Sequence, residues 1–196
     1  MDKLRTPDER FENLVDWPFE PRYVNIDGEL RVHYIDEGTG PTVLLLHGEP
    51  TWGYLYRKMI PTLVNSGCRV VVPDLVGFGR SDKPVMRDDY TYGRHLRWLT
   101  QTINEIDTTS PLGPITLFCQ DWGGLLGLTL PPHMPHRFGR LLVMNTGLGV
   151  GVPPGKGFLQ WLDFVRSNPD FDVGRLMKRS HPPLSDAELA AYEAPF

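Results

Sequence analysis

The stretch Ile115-Thr-Leu-Phe-Cys-Gln-Asp121-Trp122-Gly123-Gly124 puts a carboxylate where an apolar run gives way to a helix. Ile115 to Cys119 lacks polar alternation, as in a strand covered on both faces of a parallel sheet. From Leu125 a helix begins. A nucleophile between small neighbours at such a turn, here Cys119 and Gly123, is lifted above the sheet on strained backbone. A hydroxyl in that place needs a base to attack. A carboxylate, with a reference pKa of about 3.9, is already ionised at neutral pH. It can displace a leaving group from saturated carbon and leave an alkyl ester. Asp also favours helix N-termini, so the same residue could simply cap the helix.

The elements that must position Asp121 alternate along the chain. Residues 42–46, 69–72, 115–119 and 141–144 read as buried strands. Residues 56–64 read as a helix that Pro61 should kink or shorten. Residues 92–106 read as a helix with Leu96, Leu99, Ile103 and Ile106 on one face. Residues 23–26 and 30–35 read as a hairpin turning at Asp27-Gly28. In its second strand Leu30, Val32 and Tyr34 face one way, and Arg31, His33 and Ile35 the other. Residues 1–22 form an irregular arm that Trp17 and Phe19 should tack onto the body. The fold class expected is α/β: a mostly parallel, doubly wound sheet fed by an antiparallel N-terminal hairpin. Ligands of such sheets bind outside the carboxyl ends of the strands. His47-Gly48-Glu49, Asp74 to Gly79, Asp121-Trp122 and Asn145 all fall there.

Past Thr146 no strand signal returns. Residues 147–157 are rich in Gly and Pro, and residues 158–166, 171–178 and 186–192 read as short helices. The division expected is a core over 1–147 and the beginning of a helical cap over 148–196. The chain has 196 residues, 40% hydrophobic and 22% charged, with net charge −4. That is a globular composition, and it argues against nucleic acid or an anionic membrane as partner. The N-terminus has no signal-peptide pattern. Cys68 and Cys119 lie at or beside buried strands that residues 42–46 should separate, so free thiols and a cytoplasmic setting are expected.

Three motifs carry a family resemblance: His47-Gly48-Glu49-Pro50-Thr51-Trp52, the run from Asp74 to Pro84, and Gln120-Asp121-Trp122-Gly123-Gly124. Together they resemble the haloalkane dehalogenases of the α/β-hydrolase fold. The subfamily indicated has Glu after His-Gly and a halide-binding Trp in the cap. Arg5-Thr6-Pro7-Asp8 and residues 54–61 are similar to it too. The resemblance implies that Asp121 is the nucleophile and that the backbone N–H groups of Glu49 and Trp122 form the oxyanion hole. It implies that the indoles of Trp122 and Trp161 hold the halide. Indole is a donor only and a halide accepts. The Glu49, Leu125 and Phe158 side chains would line the pocket, and His47 would support the oxyanion loop. The implied partners are a small haloalkane, water and the halide product, with no metal or cofactor and a monomeric state.

The family's base, a histidine after the last strand, and the acid that orients it have no counterpart here. Asn145 stands where some relatives carry the acid. The chain, closing at Pro195-Phe196 within the cap, is therefore expected to be a fragment of a longer protein. Two alternatives stay open. An epoxide hydrolase uses the same Asp turn with cap tyrosines, for which Tyr192 is the candidate. A non-catalytic protein of the same fold would bind a small hydrophobic ligand.

Overall fold

The computed structural model describes residues 1–170 and 172–196. A two-residue strand, β1 (Lys3–Leu4), opens the chain, so the arm is not wholly irregular. The hairpin follows as β2 (Arg22–Ile26) and β3 (Leu30–Glu37), paired antiparallel. Next come β4 (Thr42–Leu46), α1 (Met59–Asn65), β5 (Arg69–Pro73) and β6 (Lys83–Pro84), the last pairing back to β1. Then α2 (Tyr92–Thr109), β7 (Ile115–Gln120), α3 (Asp121–Gly127), α4 (Leu130–His133) and β8 (Phe138–Met144) complete the alternating part.

The main sheet has six strands in the order β2-β3-β5-β4-β7-β8. β5, β4, β7 and β8 run parallel, and β3 joins β5 antiparallel. From β4 the chain winds outward to β5, then returns to the other side as β7. The crevice of a doubly wound sheet opens at that reversal, above the carboxyl ends of β4 and β7. Because β4 lies between β5 and β7, Cys68 and Cys119 stay apart, and both are free thiols.

Side chains alternate across the strands and build a core on each face. Leu44, Leu46, Val71 and Leu117 meet α2 and α3 through Trp98, Leu99, Ile103 and Leu126. Val43, Leu45, Val70 and Val72 meet Ile60, Tyr56 and the aromatic group Trp17, Trp52 and Tyr54. The two sides of β3 divide as its alternation predicts, Leu30, Val32 and Tyr34 entering the first core and Ile35 the second. Trp17 is edge-on to Trp52 and to Phe19, which fastens the arm.

Three expectations need correction. The helix expected over 56–64 divides into a 3-10 turn at Gly53–Tyr56 and α1. Pro61 does not kink α1: it is the third residue of the helix, where a backbone N–H has no partner within the helix to lose. The buried face of α2 includes Trp98, whereas Leu96 is only partly buried. The strand read as buried over 141–144 is a sheet edge. Leu141, Leu142, Val143 and Met144 are 45–55% exposed, because among the described residues β8 has a strand neighbour on one side only.

The last segment forms α5 (Lys156–Ser167), α6 (Val173–Met177) and α7 (Asp186–Glu193). The helix expected from Phe171 begins, within the described residues, at Val173. Ser185 and Glu188 form a reciprocal capping box that starts α7. α7 packs on the second core through Ala191, Tyr192 and Ala194. The Trp52 indole donates to the Ala191 carbonyl (3.0 Å), and Arg57 donates to Glu188 and to the Tyr192 hydroxyl. Of the three helices, α7 is thus built into the body of the core.

Candidate active site

Asp121 follows β7 directly and opens α3 with φ +51°. A left-handed conformation costs a non-glycine residue about 1–2 kcal/mol, so the surroundings must hold it there. They do so from the ends of two neighbouring strands. The Asp121 N–H points to the Asn145 carbonyl at the end of β8 (3.4 Å), and the Thr146 hydroxyl donates to the Asp121 carbonyl (2.8 Å). On the β4 side the Glu49 N–H donates to Asp121 Oδ1 (2.9 Å). The carboxylate does not cap α3, whose N-cap is Gln120 without a side-chain bond.

Two glycines make this approach possible. A Cβ on Gly48 would collide with the Asp121 carboxylate. A Cβ on Gly123 would collide with the carbonyls of Leu46 and His47, so only glycine lets α3 sit down on the end of β4.

His47 ties two loops together. Its Nε2 accepts from the Leu75 N–H (2.9 Å), so its proton is on Nδ1, which faces the Gly48 carbonyl at 3.2 Å. The ring is wholly buried, and that burial pushes its pKa down. Beneath it, Asp74 accepts from the backbone of Gly53 (2.7 Å) and Arg80 (2.9 Å) and pairs with His33 Nδ1 (2.7 Å). Burial opposes the ionised form of Asp74, but His33 and these donors outweigh it and hold the carboxyl below its usual range. Asp74 is therefore a fixed post beneath the loop that follows β4.

A cleft of about 370 Å³ opens at this rim, lined by Glu49, Phe78, Tyr90, His95, Trp122 and, from α5, Val165 among others. Glu49 also borders a second cavity of about 570 Å³, whose far wall carries Asp170, Asp172 and Glu193. Burial, then the Asp121 carboxylate, push Glu49 above the usual carboxylate range; a hydrogen bond from Trp122 acts the other way. His95 is pushed down to about 4 by burial. Its ring lies 6.4 Å from that of Trp122.

The structure brings Asp121, Glu49 and Trp122 together. Leu125 is half-buried on α3, its carbonyl accepting from the Tyr92 hydroxyl (2.8 Å), and Leu126 lines the cleft in its stead. Phe158 is 45% exposed on α5. Trp161 is half-buried and stacks on Phe164 at 5.6 Å. It precedes Val165 by four residues, so both lie on one helix face, a turn apart. Tyr192 is 3% exposed and edge-on to Tyr54, away from the cleft. Sequence reasoning missed Thr146, Tyr90 and His95. His95 is half-buried at helical spacing from Leu99, which is the only signal that pointed to it. Among the described residues, no group of His, Cys, Asp and Glu is placed to hold a metal ion, and no helix is long and apolar enough to cross a membrane.

The sheet order and the Asp-bearing turn define a protein of the α/β-hydrolase class, and the family described as alpha/beta hydrolase fold matches residues 41–190. Over its full length the chain is 52% identical to a haloalkane dehalogenase of Psychrobacter cryohalolentis, covering 66% of that protein. It is 46% identical to one of Mycobacterium marinum, covering 67%. A solved structure, the tetrameric haloalkane dehalogenase DpaA of Paraglaciecola agarilytica, superposes with a TM-score of 0.93 at 44% identity, over 100% of this chain and 67% of that one. An epoxide hydrolase of Vigna radiata shares the fold alone, with a TM-score of 0.71 at 24% identity. The chain belongs to the haloalkane dehalogenase family. It spans about two thirds of the length of the relatives it matches.

Proposed function

We propose that the protein cleaves the carbon–halogen bond of small haloalkanes by attack of Asp121 on carbon. The observation that carries this reading is the Glu49 N–H on Asp121 Oδ1, beside a cleft that Trp122 lines. Oδ1 is the oxygen that becomes the ester carbonyl, and Oδ2 attacks. The C–X electron pair leaves with the halide, which the Trp122 indole N–H receives. Donors already aimed at developing charge favour the transition state over the substrate. Trp161, one turn from the cleft on α5, is the second halide donor. The oxyanion hole for hydrolysis is completed by the Trp122 backbone N–H. Residues 148–196 act as the cap, and α7 is its anchored end. The free thiols fit a reducing cytoplasm.

Hydrolysis of the ester needs a base to activate water. Among the described residues no histidine bonds to Asp121. His47 has both nitrogens engaged, and His33 is paired with Asp74 in the interior. One equivalent of halide per folded chain is therefore the expected yield. The test is to treat the 196-residue chain with excess 1-bromobutane, measure bromide, and map the peptides by mass. A butyl group on Asp121, absent in Asp121→Asn, supports the reading. Bromide release by verified Asp121→Asn would remove it. Tyr192 is too buried to protonate an epoxide oxygen, which weighs against the epoxide hydrolase alternative.

A further inference from the structure

Glu49 and Trp122 both line the cleft in which the proposed halide site lies, and Glu49 is held there by its N–H on Asp121 Oδ1 (2.9 Å). A halide received by the Trp122 indole in this cleft shares it with the Glu49 carboxyl group. A halide arriving beside an ionised Glu49 would meet like charge in a half-buried site, where such repulsion is poorly screened. We propose that Glu49 holds the halide together with Trp122 as a neutral carboxylic acid, so that halide binding takes up one proton at this residue. The exchange balances: one proton enters at the Glu49 carboxylate, the indole N–H takes the halide, and the new O–H donates to the same halide. This rests on the halide-site reading above and extends it.

The surroundings of Glu49 agree. Asp121 lies against its backbone N–H, and its carboxylate and the burial of the site both disfavour the ionised form of Glu49. The second cavity is also lined by Asp170, Asp172 and Glu193, and among the described residues its lining holds no cation. In the cleft, Tyr90 and His95 are neutral near pH 7, because burial pushes the Tyr90 hydroxyl up to about 12 and holds His95 at about 4. His47, next but one in sequence, is also held neutral by burial. None of these supplies a proton that could be confused with that of Glu49.

The experiment is bromide titration followed by tryptophan fluorescence between about pH 5 and about pH 9, on the native chain, Glu49→Gln and Trp122→Phe. The native Kd should rise about tenfold per pH unit once Glu49 is ionised in the free protein. Glu49→Gln, whose amide also donates, should bind with a Kd that does not change with pH. Adding bromide to weakly buffered native protein should raise the pH by up to one proton per site, a measurement that needs no variant. A native Kd flat in pH, or a slope that survives in Glu49→Gln, overturns the proton coupling and leaves the halide site standing. Binding indifferent to Trp122→Phe overturns the halide site instead. Absence of saturable binding at every pH removes both.

Discussion

Leu75 donates its backbone N–H to Nε2 of His47 across 2.9 Å, joining the loop after β5 to the loop after β4. The acceptor nitrogen must be bare, so this bond exists only with neutral histidine. Two residues after His47, Glu49 presents its N–H to Asp121. His47 is therefore a strut for the loop that carries Glu49, the proposed oxyanion loop. His47→Ala is expected to slow bromide release by roughly tenfold or more, a part of the loss seen when an oxyanion donor is removed outright. Single-turnover kinetics would check it, and an unchanged rate would make the bond incidental.

Gly48→Ala places a methyl group against the Asp121 carboxylate. A misplacement of about 1 Å at a reacting group can lower a rate by about 10²-fold. We expect a folded protein, by circular dichroism, with bromide release reduced on that scale. A rate close to the native one would show that the carboxylate can move aside and still attack.

Trp161→Phe removes one indole donor and keeps an aromatic ring against Phe164. If Trp161 reaches the halide, bromide affinity should drop about tenfold, near the lower range for a hydrogen bond to a charge. Unchanged affinity would leave Trp161 with a packing role only.

His95 gives an acid-side stability prediction. Its pKa in the folded chain is about 4, against 6.5 when unperturbed. Between those values the unfolded chain binds the extra proton, so stability falls as pH falls through the window. Thermal unfolding from about pH 7 to about pH 5 should show a midpoint lower by several degrees. His95→Leu should flatten that slope, and an equal slope in the variant would contradict the assignment.

Much of the positioning frame was legible because β4, β5 and β7 are short apolar runs ended by loops bearing His, Asp and Gly. The Asp121 turn was legible for the same reason: strand, carboxylate and paired glycines are contiguous. The exposure of β8 was not, since an apolar strand at an edge reads the same as one at a centre. Nor was the docking of α7, whose Ala191 and Tyr192 meet partners far away in the chain. Trp98 escaped because its indole bonds to Asp27, a contact between α2 and the hairpin turn that periodicity does not register. Phe158 and Leu125 were placed by resemblance, and a helix turns by one residue in a way that motif matching does not resolve.

The two ends of the chain are fastened to each other. Arg10 donates to the Ala194 carbonyl (3.0 Å) and Thr6 to that of Pro195 (2.8 Å), partners 184 and 189 residues apart. A ribosome adding about 5–20 residues per second finishes α7 roughly 10–40 s after Arg10 is made. Over that interval Trp17 can already settle on Trp52, but the carbonyls that Arg10 will bind do not exist. The nascent arm must wait on the surface with its guanidinium in water until α7 arrives to close over it.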